Sequence, residues 1–306
     1  MNNTHLPVLL KEAIQSLNIK PNGIYVDCTA GRGGHSEAIL QKLGPNGRLI
    51  CIDMDEDAIT YLNEKFNDVR VTIIKNNYSN IKEILSSLNI ETVDGILADI
   101  GVSSPQLDNI ERGFSYHSDA KLDMRMDKSQ DKSAYTVINE YTQSDLCKIF
   151  KTYGEILKPN SVAHAIVEER LIKPIVTTSQ LVEIIKSNID KKLLFQKKHP
   201  ARKYFQAIRI EVNDELNNLE KFIDVAPSLL KSEGRLSIIS FHSLEDRIIK
   251  TKFAEFTTSN IPKEIPIIDE HLNYKTLTKK PIEPSVDELE KNNRSRSAKL
   301  RTIIKI

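Results

Sequence analysis

The stretch Tyr25-Val-Asp-Cys-Thr-Ala-Gly-Arg-Gly-Gly-His35 decides how this chain folds. A strand-like run, Ile24 to Asp27, breaks into a glycine-rich turn and then into helix-like sequence from His35 to Leu43. Gly31, Gly33 and Gly34 can take positive φ and carry no Cβ, so a ligand can approach the amides at the start of that helix. Twenty-two residues beyond Gly31, a second strand-like run, Arg48-Leu-Ile-Cys-Ile-Asp53, ends in a carboxylate. At the C-terminal edge of a parallel sheet, such a carboxylate suits a pair of ribose hydroxyls.

Outward from this pair the pattern alternates. Helix-like Val8 to Ser16, Glu56 to Phe66 and Ile81 to Leu88 are interleaved with strand-like Val69 to Ile74 and Gly95 to Asp99. Alternation of this kind predicts a parallel sheet covered by helices on both faces. From Leu107 the chain turns to charged, amphipathic segments such as Ser144 to Lys151, Ser161 to Leu171 and Thr178 to Ile189, which predict an inserted helical subdomain. The α/β pattern returns with a helix over Asn213 to Leu230 stopped by Gly234, a strand over Arg235 to Ser240, a helix from Glu245 to Phe256 and a last strand over Ser297 to Ile306. Ile261 to Asn293, with four prolines, predicts a long, mostly irregular connection. The expected division is a catalytic domain of residues 1–106 and 213–306 with a helical substrate-recognition insert of 107–212.

The glycine turn narrows the ligand. A dinucleotide's pyrophosphate calls for G-x-G-x-x-G, whereas Gly31-Arg-Gly-Gly-His-Ser36 has Ser36 at the third glycine position. S-adenosylmethionine presents a carboxylate to the amides instead, and an ammonium that Asp27 could accept directly or through a backbone carbonyl. A nicotinamide dehydrogenase is disfavoured by Ser36 and by the lack of a hydride-transfer constellation.

Composition bounds the rest. The 306 residues are 40% hydrophobic and 28% charged, as in a soluble globular protein of about two domains. The start lacks signal-peptide regions, no apolar run would span a membrane, and three scattered cysteines fit a reducing cytoplasm. Cys28 and Cys51 read as small buried hydrophobes. No His or Cys cluster has metal-ligand spacing, so no metal is expected. A net charge of +1 gives no global case for nucleic acid. Two local basic clusters do: Lys197, Lys198, Arg202 and Lys203, interleaved with Phe195, Tyr204 and Phe205, and the tail residues Arg294, Arg296, Lys299 and Arg301.

The chemistry is expected beyond the strand ends. Asp99-Ile-Gly-Val-Ser-Ser-Pro-Gln106 places Ser103, Ser104 and Pro105 just past a strand, a loop suited to exocyclic amines. Such an amine is a poor nucleophile because its lone pair is delocalised into the ring. A Ser hydroxyl and the carbonyl before Pro105 can accept its hydrogens and turn the lone pair toward a methyl donor. Methylation at ring carbon five would need a cysteine, and none lies in a suitable loop. Gln106 stands where an aromatic residue commonly stacks the base, leaving Phe114 or Tyr116 for that task. In Ser240-Phe-His-Ser-Leu-Glu-Asp246, Ser243 and Asp246 form a capping-box pattern, and His242 is a candidate to touch RNA or take a proton.

These motifs resemble one family nearly end to end: the bacterial MraW/RsmH methyltransferases, which modify a cytidine of small-subunit ribosomal RNA at N4. The likeness rests on His5-Leu-Pro-Val8, Asp27 to His35, Asp53-Met-Asp55, Asp99 to Asp108, Arg112-Gly-Phe114, Leu122 to Asp127, Tyr204 to Asn213, Ser240 to Asp246 and Arg294 to Arg301. It implies a Rossmann-like methyltransferase fold with a mostly parallel seven-stranded sheet and an all-helical insert, S-adenosyl-L-methionine as donor, and a target in the decoding centre of 16S ribosomal RNA near the P site. By motif match it implies donor contacts from Gly33, Gly34, His35, Asp53, Tyr78, Asp99 and Gln106, with Tyr78 against the adenine. Asn293 replaces the proline usual before the first tail arginine, and Ile208 a frequent leucine. Two other readings stay open: the same chemistry on another RNA or DNA base, and a non-catalytic ribosome assembly factor. Also open are naked RNA against the assembled subunit as substrate, and the oligomeric state, a homodimer included.

Overall fold

In the computed structural model, residues 7–196, 198–258 and 272–306 are described. Lys197, His5 and residues 261–271 of the connection expected to be irregular lie outside them. Internal contacts divide the chain into two compact units, one of residues up to Gly101 together with Leu216–Ile306, the other Val102–Glu215.

The first unit is built on one seven-stranded sheet in the order β3-β2-β1-β4-β5-β7-β6. Strands β1 (Ile24–Asp27), β2 (Arg48–Asp53), β3 (Val71–Lys75), β4 (Val93–Asp99) and β5 (Leu230–Ser240) run parallel. β7 (Lys299–Lys305) inserts antiparallel between β5 and β6 (Tyr274–Thr276). The order reverses between β1 and β4, so the crevice beyond Asp27 and Asp99 is where a doubly wound sheet takes its ligand.

Side chains alternate between two cores, as the period of a strand requires. Val26, Ile50, Ile52, Ile96 and Ile238 face Ile84, Leu85, Phe222 and Phe253 from the helices Ile81–Ser87, Glu215–Val225 and Ser243–Thr257. Tyr25, Leu49, Cys51, Leu97 and Leu300 face Ala13 and Leu17 of Leu10–Leu17, with Ile39 and Leu62. Burial on both faces is why these strands read as unbroken apolar runs. Among the described residues, no helix is long and apolar enough to cross a membrane.

Two expectations need correction. Gly234 does not stop a helix: the helix ends at Val225, a 3-10 turn over Ala226–Leu229 follows, and Gly234 lies inside β5. Its neighbour Glu233 takes φ 62°, where the β4–β5 register shifts between Val93 and Gly95. In the described part of the mostly irregular connection, β6 and the helix Val286–Lys291 are the regular elements. The helix predicted from Asn213 begins at Glu215, because Asp214 is left-handed and separates it from Arg202–Asn213.

The second unit is helical, with Ala134–Glu140, Gln143–Thr152, Asn160–Ile172, Thr178–Ser187 and Arg202–Asn213 as its main elements. Its core gathers Val137, Phe150, Ile166, Leu181 and Ile208. Tyr204 and Phe205 belong to that core, with Tyr204 perpendicular to Phe150 at 5.0 Å, so they do not interleave the basic cluster at the surface. A polar latch joins distant motifs. Arg112, itself buried, donates to the carbonyls of Arg125 and Met126. Asn213 accepts the Met126 amide at 2.7 Å and donates to Met124 and Arg209 carbonyls.

Candidate active site

Three carboxylates end the strands around the switch, and their environments separate them. Asp27 is buried and internally satisfied: the Ser36 hydroxyl donates to Oδ2 at 2.6 Å and the Thr29 amide reaches Oδ1 at 3.4 Å. Burial raises its carboxyl, opposed by His35 and by the Ser36 hydrogen bond. Ser36 stands in the third-glycine position because its hydroxyl serves Asp27, and it also accepts the Cys51 thiol at 3.3 Å. Burial and the nearby Asp27 push that thiol up to about 12, so Cys51 is chemically quiet.

Asp53 does not cap the following helix, which Asp55 caps. Instead Oδ2 accepts the Gly31 amide at 2.8 Å and Oδ1 the Asp55 amide at 2.9 Å. Each oxygen keeps a lone pair for a hydroxyl. Burial lifts this carboxyl to about 6 despite both bonds. A Cβ at Gly31, where φ is +51°, would meet nothing closer than 3.9 Å, so space opens beside that residue. Gly33 and Gly34 have a packing reason as well: a Cβ would press into Phe66 and Pro7 respectively.

Asp99 is the carboxylate without a full set of partners. Its Oδ1 is buried and has no hydrogen-bond partner among the described residues. Its carboxyl is raised well above the usual range by burial first, then by Asp27, Glu245 and Glu288. His35 approaches, its Nδ1 3.7 Å from Asp99 Oδ2 and its Nε2 3.0 Å from the Val8 carbonyl. Burial and the neighbouring carboxyls disfavour the ionised form of this group in the free protein, and a cation placed beside it would restore that charge. This oxygen keeps both lone pairs and could take the ammonium of an amino-acid-bearing donor, whereas each Asp27 oxygen already accepts one hydrogen bond and keeps one lone pair. Tyr78 follows β3 on the same sheet edge, its ring perpendicular to Phe222 at 5.2 Å.

The chain runs from β4 through Gly101 into the second unit, where Ser103 caps the short helix Ser104–Asp108. The Gln106 side chain accepts the Ser103 amide at 3.0 Å in a capping box, so Gln106 has a structural task besides the donor contact expected of it. Pro105 occupies the first turn, and the buried Ser104 hydroxyl makes no hydrogen bond among the described residues.

His242, the candidate to touch RNA or take a proton, also has a structural task. It, and not Ser243, is the N-cap of Ser243–Thr257: Nδ1 accepts the Glu245 amide at 3.4 Å, while Glu245 accepts the amides of Phe241 and His242. His242 Nε2 is 3.0 Å from Glu245 Oε1 without hydrogen-bond alignment. A histidine cap escapes patterns that look for Ser, Thr, Asp or Asn.

With this geometry in view, relatives become informative. The profile of the MraW methylase family matches residues 2–306. The chain belongs to that family. The Ribosomal RNA small subunit methyltransferase H of Ureaplasma parvum is 55% identical over 304 residues, covering 99% of this chain and 98% of its own. Its counterpart in Clostridium botulinum strain Loch Maree is 52% identical over 307 residues, covering 99% of each. Among solved structures, a SAM-dependent O-methyltransferase from Thermotoga maritima superposes with a TM-score of 0.42 at 10% identity, covering 100% of this chain and 68% of its own, too loose to say more than the strand order does.

For this MraW family member the expected RNA contacts divide. Lys299 and Arg301 are committed to Asp246, at 3.1 and 2.7 Å. Burial alone would raise the Asp246 carboxyl, but Arg301 and Lys299 hold it below its ordinary value. Arg294 and Arg296 are exposed on the 3-10 turn Asn293–Ser297. Lys198 is exposed, Lys203 reaches the Glu155 carbonyl at 3.1 Å, and Arg202 opens its helix. Phe114 is buried, with Arg112 over its ring at 5.8 Å, so it is not placed to stack a base; Tyr116 is half-buried. Motif spacing missed Thr29, Ser36, Glu245 and Glu288, whose roles are hydrogen bonds and fields across the sheet edge.

Proposed function

We propose that this chain transfers a methyl group from S-adenosylmethionine to the exocyclic N4 of a cytidine in the decoding centre of 16S ribosomal RNA. The observation that carries the donor half is the buried, unpartnered Asp99 Oδ1 beside the open flank of Gly31. Curated relatives at 52–55% identity named as small-subunit ribosomal RNA methyltransferases support the substrate half.

Asp53 would hold the donor's ribose hydroxyls, the amides after Gly31 its carboxylate, Asp99 its ammonium, and Tyr78 would flank the adenine. When bound, that donor supplies an electrophilic methyl, passed on as the N–C bond forms and the S–C bond breaks with its electron pair returning to sulfur. The chain's part is orientation. Ser104, whose hydroxyl makes no hydrogen bond among the described residues, would accept an N4 hydrogen together with the carbonyl preceding Pro105; Ser103 fixes the loop as its cap. The nitrogen loses its proton only as the bond forms, so no strong base is required.

The test is methyl transfer from labelled donor to unmethylated small subunits, naked ribosomal RNA and DNA, read by nucleoside mass spectrometry. N4-methylcytidine in the ribosomal RNA is expected. Label on another base, or donor binding without any transfer, replaces this reading with a different amine substrate or with an assembly role.

A further inference from the structure

The second unit holds an aromatic group that the donor chemistry does not use. Tyr116 stacks on His199 with ring centres 4.8 Å apart and planes 16° from parallel. Phe205, in the core, stands perpendicular to Tyr116 at 5.6 Å and fixes it from beneath the surface. His117 leans on both, 4.5 Å from Tyr116 and 5.6 Å from His199, and is itself exposed.

The imidazole of His199 has a defined protonation. Its Nδ1 accepts the Ala201 amide at 3.2 Å, so the proton sits on Nε2. A second proton would have to displace the Ala201 hydrogen bond. Burial, His117 and Lys186 act the same way, holding the group below its ordinary value. Lys186 is paired with Glu183 at 3.1 Å. The charges next to His199 in sequence, Lys198 and Arg202, have no ion pair or side-chain hydrogen bond among the described residues, and Lys203 reaches only a carbonyl. A neutral stacked π surface with an N–H donor, fringed by uncommitted cations, matches an unstacked base on a phosphate backbone.

Resting on the ribosomal RNA reading above, we propose that Tyr116, His117 and His199 form a stacking platform for an unpaired nucleotide of that RNA, with Lys198 and Arg202 on its phosphates. The platform contributes to RNA affinity, not to donor binding or to methyl transfer itself.

The experiment is steady-state methylation of unmethylated small subunits by the full chain and by His117→Ala, His199→Ala, His199→Phe and Lys198→Glu, with donor affinity measured alongside. Loss of one stacked base costs about tenfold in binding. His117→Ala and His199→Ala are therefore expected to raise the KM for subunits about tenfold, with kcat and donor Kd within about twofold of wild type. His199→Phe, which keeps a ring, recovers most of the loss, and Lys198→Glu raises KM with a shallower salt dependence. Unchanged KM in both alanine variants overturns the platform. Because His117 is exposed, its variant gives that answer even where His199→Ala fails to fold. If the wild type itself does not methylate the subunit, the ribosomal reading fails, and that result is distinct from the first.

Discussion

The amide of Asp99 donates to the hydroxyl of Thr29 at 2.7 Å, joining the ends of β4 and β1 across the point where the strand order reverses. This single bond sets where the Asp99 carboxylate begins.

Thr29→Val keeps the shape and removes the acceptor. It is expected to cost about 1–3 kcal/mol in denaturant unfolding and to weaken donor binding, while Thr29→Ser keeps both near wild type. Asp99→Asn keeps the fold but removes the anion, and donor affinity measured by calorimetry should fall about tenfold or more. An Asp99→Asn variant that binds donor as tightly as wild type would take the ammonium elsewhere.

Asp53→Ala removes the acceptors for Gly31 and Asp55 and for the ribose hydroxyls, so donor affinity should fall at least about a hundredfold. With the carboxyl raised to about 6, the folded free protein holds this proton more tightly than the unfolded chain. Its contribution therefore lowers stability as pH rises from about 4 to about 6, and donor affinity rises over the same window as the anion forms. Titrating both in wild type and Asp53→Ala checks the sign: the variant should lose that part of each slope.

Asn213→Ala strips partners from the Met126 amide and from the Met124 and Arg209 carbonyls at once. Unfolding of the variant should show a loss of about 2–4 kcal/mol. A loss below about 0.5 kcal/mol would show that water replaces the latch.

Arg296→Ala should weaken subunit binding and reduce its salt dependence, whereas Arg301→Ala should chiefly destabilise the tie between β7 and the helix Ser243–Thr257. That tie is an acid-sensitive one. Asp246 is held below its ordinary value, so its stabilisation is present above about pH 4 and is lost as pH falls through the lowered value. Equal effects of the two substitutions on subunit affinity would refute this division.

The elements that positioned the donor site were legible because their signals are local. An apolar run ending in Asp27 or Asp53 needs only a strand and a sheet edge to be understood. Where the reading failed, the reason lay in a distant partner or in unusual chemistry. Gly234 looked like a helix stop because glycine commonly ends helices, yet a register shift against β4 placed it in a strand. His242 capped a helix in place of the residue after it. Lys299 and Arg301 looked like free cations because Asp246, their counter-ion, lies on another element. The orphaned oxygen of Asp99 has no sequence signature at all, since it is defined by which neighbours fail to reach it.

β4 and β5 are hydrogen-bonded neighbours, yet Asp99 ends one and Leu230 begins the other, with the whole helical unit between them. Pairing them from an unfolded chain means closing a very long loop, an entropic cost that slows the search. The helical unit has its own core and latch. Collapse of that unit first would shorten the loop before the sheet forms, so assembly from the insert to the framework that carries it is the order with the lower entropic cost.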